Sequence, residues 1–366
     1  MIKKLKAFTF YTLAGANIAT ILLMLGAGYS DRLSPATFPM GAVAGLAFPV
    51  FIVLNFAFLV MWLLFKAKAA IIPILGFIVC YSPIRTYCPL NIGKEQPSDA
   101  LKVLSYNVWY FAGWADRNHA ENPILHYIRE QNADIVCLQE AGYSEVGQGV
   151  VDSLLNPVYP YHDTIRSGRY DIMAIYSKFP IHSKEHIDYA SVGNLSGAFK
   201  LLVGGEEVLV INNHLESIGL HSEDKTHFRN ILNGHLETDT AGRATRLLVG
   251  KIAQAAKIRS HQADAVARYV AAHRHMPIIL CGDFNDGPIS YSRHTIAKDL
   301  TDCYVETANG PGISYHDNGF YVRIDNIMCS KHFEPYACRV DNHIKASDHY
   351  PITCYLKKHG KTAKSE

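Results

Sequence analysis

Acidic residues are almost missing from the first quarter of the chain. Residues 1–92 contain one, Asp31, against seven Lys and Arg, and they contain no histidine. Two stretches there, 7–30 and 33–65, lack charge of either sign. Such runs are too long for ordinary core helices, because about 20 apolar residues already span the hydrocarbon of a bilayer. The whole chain also lacks a strong net charge, at +2. Residues 93–366 hold 28 basic and 32 acidic residues and are net acidic. That excludes nucleic-acid binding by bulk positive charge, though not by a local basic groove. The eight cysteines show no CxxC or zinc-ligand spacing, so no zinc cage can be assigned. No internal repeat or low-complexity tract is present. With 49% apolar and 19% charged residues, the chain is neither disordered nor fibrous.

What is there begins with a membrane anchor over 1–92. Three transmembrane helices are expected, at about 7–29, 42–65 and 69–87. KKLK before the first run and small residues after it also fit a signal peptide, but further apolar runs follow at once. Pro49 is expected to kink the second span. The third run, Ala69–Ile84, covers roughly 24 Å as a helix against a core of ~30 Å. It reads as a span anchored by Lys66, Lys68, Tyr81 and Tyr87, with a re-entrant or surface helix as the alternative. Lys3, Lys4, Lys6, Lys66 and Lys68 prefer the cytoplasm. Three spans then place the remainder outside the cytoplasmic (inner) membrane, and two would place it inside.

Residues 93–100 (GKEQPSDA) read as a linker, 101–358 as one catalytic domain and 359–366 as a basic tail. Strand-like runs occur at 101–110, 134–140, 170–181, 197–203, 207–216, 277–285, 323–330 and 347–356. Helical patterns occupy 124–133 and 241–273. Several strands follow one another by short turns, so the domain is mixed α/β rather than purely parallel. Cys137 and Cys281 read as small buried hydrophobes. Cys80 and Cys88 fall at the membrane edge. No disulfide among Cys303, Cys329, Cys338 and Cys354 can be assigned.

One pattern recurs along this domain. An apolar strand ends in side chains able to bind metal or phosphate. Asn107 follows VLSY, Glu140 follows IVCLQ, and Asp283 and Asn285 follow IILCG. Asn213 and His214 follow VLVIN, and Asp348 and His349 precede YPITCYL. Strand ends are rigid supports on which distant side chains can converge. Carboxylates and amide oxygens suit Mg²⁺ or Mn²⁺ completed by a substrate phosphate. Each residue alone has a plainer reading, as a turn, a cap or a structural histidine. The ordered set does not.

The motifs SYNVW (105–109), LQE (138–140), NHLES (213–217), GDFND (282–286), RIDNIM (323–328) and SDHYP (347–351) resemble the endonuclease/exonuclease/phosphatase superfamily, also called DNase I-like. The resemblance covers about 100–357. It implies a four-layer α/β/β/α sandwich and hydrolysis of phosphate esters with a divalent metal. It also implies Glu140 as the main metal ligand, with Asn107 and Asp348 on the metal side. His349, oriented by Asp325, would contact phosphate or act as base. Asp283 would align or deprotonate water, Asn285 would stabilise the pentacovalent phosphorus, and His214 would lie near the leaving group or phosphate. In-line attack on phosphorus needs those three services: activated water, neutralised equatorial oxygens and a stabilised leaving group.

Departures from the family accompany the match. The strand at 170–181 begins GRYD where relatives usually have glycines, so Arg169 or Tyr170 would touch phosphate or lie on the surface. Residues 218–240 read as an insertion at the mouth of the site, a substrate-selecting lid or a membrane-facing loop. Its His221, His227 and His235 fit no tight second-metal pattern. Arg243, Arg246, Lys251, Lys257 and Arg259 read as a solvated face of the long helix, ahead of a phosphate-binding role. The expected activity is a membrane-tethered phosphoesterase acting on a lipid or lipid-linked phosphate, with the bilayer and that substrate as partners. A tethered nuclease and a non-catalytic binding module are the alternatives.

Overall fold

The computed structural model describes residues 2–113, 121–167, 171–191, 193–219, 226, 229–230, 238–317 and 319–359, with the side chains of 171 and 238–241 excepted. The expectations for Arg169, Tyr170, His221, His227, His235, most of 218–240 and most of the tail lie outside these residues.

Apolar helices come first. They are α1 (Ile2–Gly28), α2 (Met40–Leu46), α3 (Phe48–Phe65), α4 (Ile71–Val79) and α5 (Tyr81–Tyr87). Two stretches, Ile2–Arg32 and Phe48–Phe65, are long and apolar enough to cross a membrane. The second expected span is broken near residue 47, where Pro49 occupies the first turn of α3. The third is bent by 66° between α4 and α5 rather than running straight. Pro83 explains the bend, since its ring crowds the carbonyl of Val79 four residues back and offers it no donor. The Tyr29 hydroxyl donates to that carbonyl instead, at 2.9 Å. Buried amides tie the helices together. Trp62 donates to Asn17 (3.1 Å), Asn17 to Asn55 (3.1 Å), and Asn55 to the Pro73 carbonyl (3.0 Å).

Two six-stranded mixed sheets follow. One has the order β11-β12-β1-β2-β4-β3, from β1 (Leu101–Asn107), β2 (Ile135–Gln139), β3 (Tyr161–Ser167), β4 (Asp171–Ser177), β11 (Phe333–Val340) and β12 (Ile352–Lys358). The other has the order β5-β6-β7-β8-β10-β9. Its strands are β5 (Ile181–His186), β6 (Leu195–Val203), β7 (Glu206–His214), β8 (Ile278–Asp283), β9 (Thr301–Asp302) and β10 (Asp325–Cys329). Alternate side chains explain the near-continuous apolar runs. In β1, Val103 faces the core between the sheets while Leu104 and Tyr106 face outward under α6 (Pro123–Gln131) and α7 (Gln148–Leu155). In β8, Ile279 and Cys281 face inward, and Ile278 and Leu280 face the long helix α8 (Thr238–Ala272). Both sheet faces are therefore buried. The result is the helix–sheet–sheet–helix sandwich expected from the sequence.

The five helices do not stand apart from this sandwich. Met24, Phe48 and Cys80 form one buried cluster with Ile289, just before the short helix α9 (Tyr291–Ile296). A Cβ on Gly45 would lie 2.3 Å from the Ile289 carbonyl, so only glycine lets α2 approach so closely. Arg323, 3% exposed, donates to the carbonyls of Thr86 and Pro311 and lies over the Tyr304 ring. Asn91 donates to the carbonyls of Val305 and Ala308, near helix α10 (Cys303–Thr307). All eight cysteines are free thiols, and those of the sandwich are buried in its core.

Candidate active site

Strand register assembles the candidate residues at one edge of the sandwich. His214 pairs with Asp283 across the parallel β7–β8 ladder, and Asp283 pairs with Asp325 across β8–β10. Asn107 lies beside Gln139 in the parallel β1–β2 ladder, one residue before Glu140. Gly282 has φ +130°, and a Cβ there would meet the Asn213 carbonyl at 2.0 Å. The glycine of GDFND thus permits close approach of the two strands at the site. Glu140 and Asn285 both have φ +50°. Left-handed backbone is uncommon for such residues, and it turns each strand end sharply at the cavity. A polar bridge lies beneath, where Gln139 donates to Ser105 (3.2 Å) and Asn212 (2.6 Å), linking the two sheets.

Glu140, His214, Asp283, Asn285 and His349 line a cavity of about 360 Å³, with Asn107 and Asp325 bonded to them from behind. Asn107 donates to Glu140 Oε1 (3.1 Å) and to Asp283 Oδ2 (3.2 Å). The Nε2 atoms of His214 and His349 lie 3.8 and 3.6 Å from that same Asp283 oxygen. Both imidazoles line the same cavity. His349 Nδ1 is 2.9 Å from Asp325 Oδ2, which sets the orientation of the ring. Tyr315 meets the same ring edge-on, with centroids 5.0 Å apart. Asp348 lines the cavity, and Ser347 donates to the Asn107 carbonyl, joining that loop to β1. Asn285 lines the same cavity. Its side-chain amide donates to the Leu215 carbonyl at 3.0 Å, and its backbone N–H donates to Asp283 Oδ1 at 2.7 Å.

Burial pushes the Asp283 carboxyl up to about 6; His349 and His214 oppose that rise and Asp325 adds to it. Burial alone would discharge His349, but Asp325 and then Asp283 outweigh it and hold the imidazole up at about 10. The two carboxylates thus favour the charged imidazole, a role that a cation bound between them would take over.

The donor set fits a divalent cation. One oxygen each from Asp283 and Asp325 and one nitrogen of His349 lie within 4.8 Å of one another. Asp325 Oδ1 is buried with no partner. Three carboxylates line the cavity and Asp325 lies behind His349, yet no Lys or Arg is among the described lining residues. Uncompensated buried acids are costly, and a bound cation relieves that cost. Oxygen donors favour a hard ion.

Sequence reasoning missed several parts of this arrangement. Ser314 accepts from the backbone N–H groups of Ile324 and Asp325. Tyr315 carries no motif of its own and reaches His349 through an isolated bridge. Arg259 is 1% exposed, not part of a solvated face. It donates to Asp286 (3.3 Å) and to the Glu216 carbonyl (2.9 Å), bracing the two motifs that carry Asp283 and His214. The acidic residue closing GDFND was the available signal, because a buried carboxylate needs a cation.

Comparison with known proteins accords with this geometry. Residues 9–87 match a domain of unknown function (DUF8431). Among curated proteins none matches. The catalytic domain of human Nocturnin, solved with a bound sulfate anion, is similar in structure. Its TM-score is 0.51 at 16% identity, over 71% of this chain and 94% of that one. An endonuclease/exonuclease/phosphatase protein from Beutenbergia cavernae matches with a TM-score of 0.51 at 18% identity, over 71% of this chain and 72% of that one. At such identities the likeness shows a shared fold. The sequence profile of the endonuclease/exonuclease/phosphatase family, however, matches residues 104–349, so the chain belongs to that family and is a metal-dependent hydrolase of phosphate ester bonds.

Proposed function

We propose that the protein is a membrane-tethered phosphoesterase that uses Mg²⁺ or Mn²⁺ to hydrolyse the phosphate of a lipid or lipid-linked substrate. One observation carries the reading: a buried cluster of acids and imidazoles lines a cavity without Lys or Arg among its described residues. Glu140 and Asn107, with Asp348 from the loop beside β1, are the residues to hold the metal. Asp325 and Asp283 lie close enough to share that duty. When bound, the ion supplies positive charge to the phosphate oxygens. Asp283, with its raised pKa, is suited to take a proton from the attacking water at neutral pH. His349, held charged by Asp325, donates to a phosphate oxygen, and His214 faces the same space from β7. Asn285, which lines the cavity, stabilises the pentacovalent phosphorus and braces Asp283 through its backbone N–H.

Tethering follows from 1–92 as an anchor of three spans, with 93–100 as a short connection to the catalytic domain at 101–358. Lys66 stacks on Phe10, which gathers Lys3, Lys4, Lys6, Lys66 and Lys68 toward one end of the helices. The sandwich packs on the other end, at Phe48, Cys80 and Arg85. Positive charge prefers the cytoplasm, which supports an extracytoplasmic catalytic domain on an inner membrane. Tethering raises the effective concentration of membrane substrates. The net acidic domain disfavours long polyanions.

A phosphate-release screen of the full chain tests the reading. It compares phospholipids, polyprenyl pyrophosphates, inositol phosphates and nucleic acids with Mg²⁺ and with EDTA. Lipid phosphates are expected to turn over only with Mg²⁺, and Glu140→Gln should abolish that turnover. Preferential nicking of DNA or RNA would establish the nuclease alternative instead.

A further inference from the structure

The catalytic cavity has a neighbour. A second recess, of about 300 Å³, opens between the first turns of α3 and the segment that precedes β10. Pro49, Ile52 and Val53 form one wall; Ile313, Tyr321 and Val322 form the other. Val322 also lines the catalytic cavity, so the two spaces share a side chain.

Three features define what fits this recess. Its walls are mostly carbon. Its one charged lining residue, Arg323, already donates to main-chain carbonyls. A polar ligand would lose its water there without replacement partners. Next, one wall belongs to α3, a helix apolar and long enough to cross a membrane. The recess therefore sits where that helix meets the sandwich, with large apolar groups left open at its rim. Val53 is 67% exposed and Tyr321 is 64% exposed. Finally, Val322 is common to the recess and to the cavity that holds Asp283, His214 and His349. A ligand filling both spaces would carry a phosphate at one end and hydrocarbon at the other.

We infer that this recess holds the part of a lipid hydrocarbon chain nearest the phosphate, while the phosphate lies among Asp283, His214 and His349. The inference rests on the phosphoesterase reading and adds a tail site to it. Selection then depends on residues of the N-terminal helices as well as on the sandwich. A phosphate ester without a chain uses only half of the binding surface.

The test uses the full chain in lipid nanodiscs, with two readouts. The first is labelling by phosphatidic acid that carries a diazirine near the glycerol end of an acyl chain. Label is expected at residues 49–53, 311–313 or 321–323, and it should fall at least fivefold in Val53→Trp and in Ile313→Trp. Unlabelled phosphatidic acid and unlabelled polyprenyl phosphate serve as competitors, and the one effective at lower concentration names the chain. Label spread along the outer faces of α1 and α3, or label that neither competitor removes, overturns the inference. The second readout is turnover of phosphatidic acid against p-nitrophenyl phosphate. The two tryptophan variants should raise KM for the lipid about tenfold and leave the chainless ester within twofold. Equal effects on both substrates would overturn the tail site. Loss of turnover on every phosphate ester, with labelling intact, would overturn the phosphoesterase reading and leave the tail site standing.

Discussion

Two regions of this protein bury polar side chains, and they do so in opposite ways. Among the N-terminal helices, Asn17, Asn55 and Trp62 form a closed chain of hydrogen bonds that ends on the Pro73 carbonyl. Every bond there joins neutral groups, and the network fixes how α1, α3 and α4 meet. At the edge of the sandwich, Asp283, Asp325, Glu140 and Asp348 gather around one cavity, and Asp325 Oδ1 has no partner. The first cluster is complete as it stands. The second leaves a buried carboxylate oxygen without a protein partner. The difference teaches how to tell a structural polar network from a binding site: ask whether the charges balance within the chain.

The largest test of that contrast is Asp283→Asn. Turnover of a phosphate ester is expected to fall on the order of 10²–10⁴, the usual scale for removing a catalytic base. Thermal unfolding in EDTA should show no loss of stability, because one of several crowded acids has been neutralised. A clear drop in melting temperature would place Asp283 with the structural networks instead.

A pH series sharpens the same contrast. The Asp283 carboxyl is held up at about 6 against an ordinary 3.8. The base form is therefore lost below about pH 6, and kcat/KM for a chainless ester should fall about tenfold per unit there. Stability runs the other way. A raised carboxyl pKa contributes stability that is fully present below about pH 4 and lost as pH rises through about 6. Melting of the metal-free protein, relative to Asp283→Asn, should decline over that window. A rate limb near pH 4 would show that burial does not govern this carboxyl.

The smallest effect is expected from the helices. Asn55→Leu leaves the Pro73 carbonyl and the Asn17 amide each short of a partner. Unfolding in micelles should show a loss of roughly 1–2 kcal/mol. Hydrolysis of a chainless ester should be unchanged. A matching loss of activity would mean that the two clusters are coupled rather than independent.

Much of the sandwich was legible because its strands are buried on both faces and read as unbroken apolar runs. IVCLQ and IILCGD are such strands, and the polar residue after each run marks the sheet edge. The sheet-edge strands β3, β5, β9 and β11 were not legible. YHDTIRS and IHSKEH are polar sheet-edge strands, exposed along much of their length, and carry no apolar run. The bend between α4 and α5 was hidden as well, since hydropathy is continuous across Cys80 while the backbone is not. Arg259 was misread for a related reason. Its helix is basic along its length, and only the packing of α8 against 216 and 286 shows which cation turns inward.

The sequence by itself determined which side chains are available and that each stands at the end of an apolar strand. It also determined that the first quarter of the chain holds apolar runs long enough for a bilayer. Those are local properties, written in periodicity and in residue type. Tertiary structure alone decided that Asn107, Glu140, His214, Asp283, Asp325 and His349 share one space, and that Val322 looks into two. Such neighbourhoods depend on sheet register and on how α3 docks, where contacts far apart in the chain set the geometry.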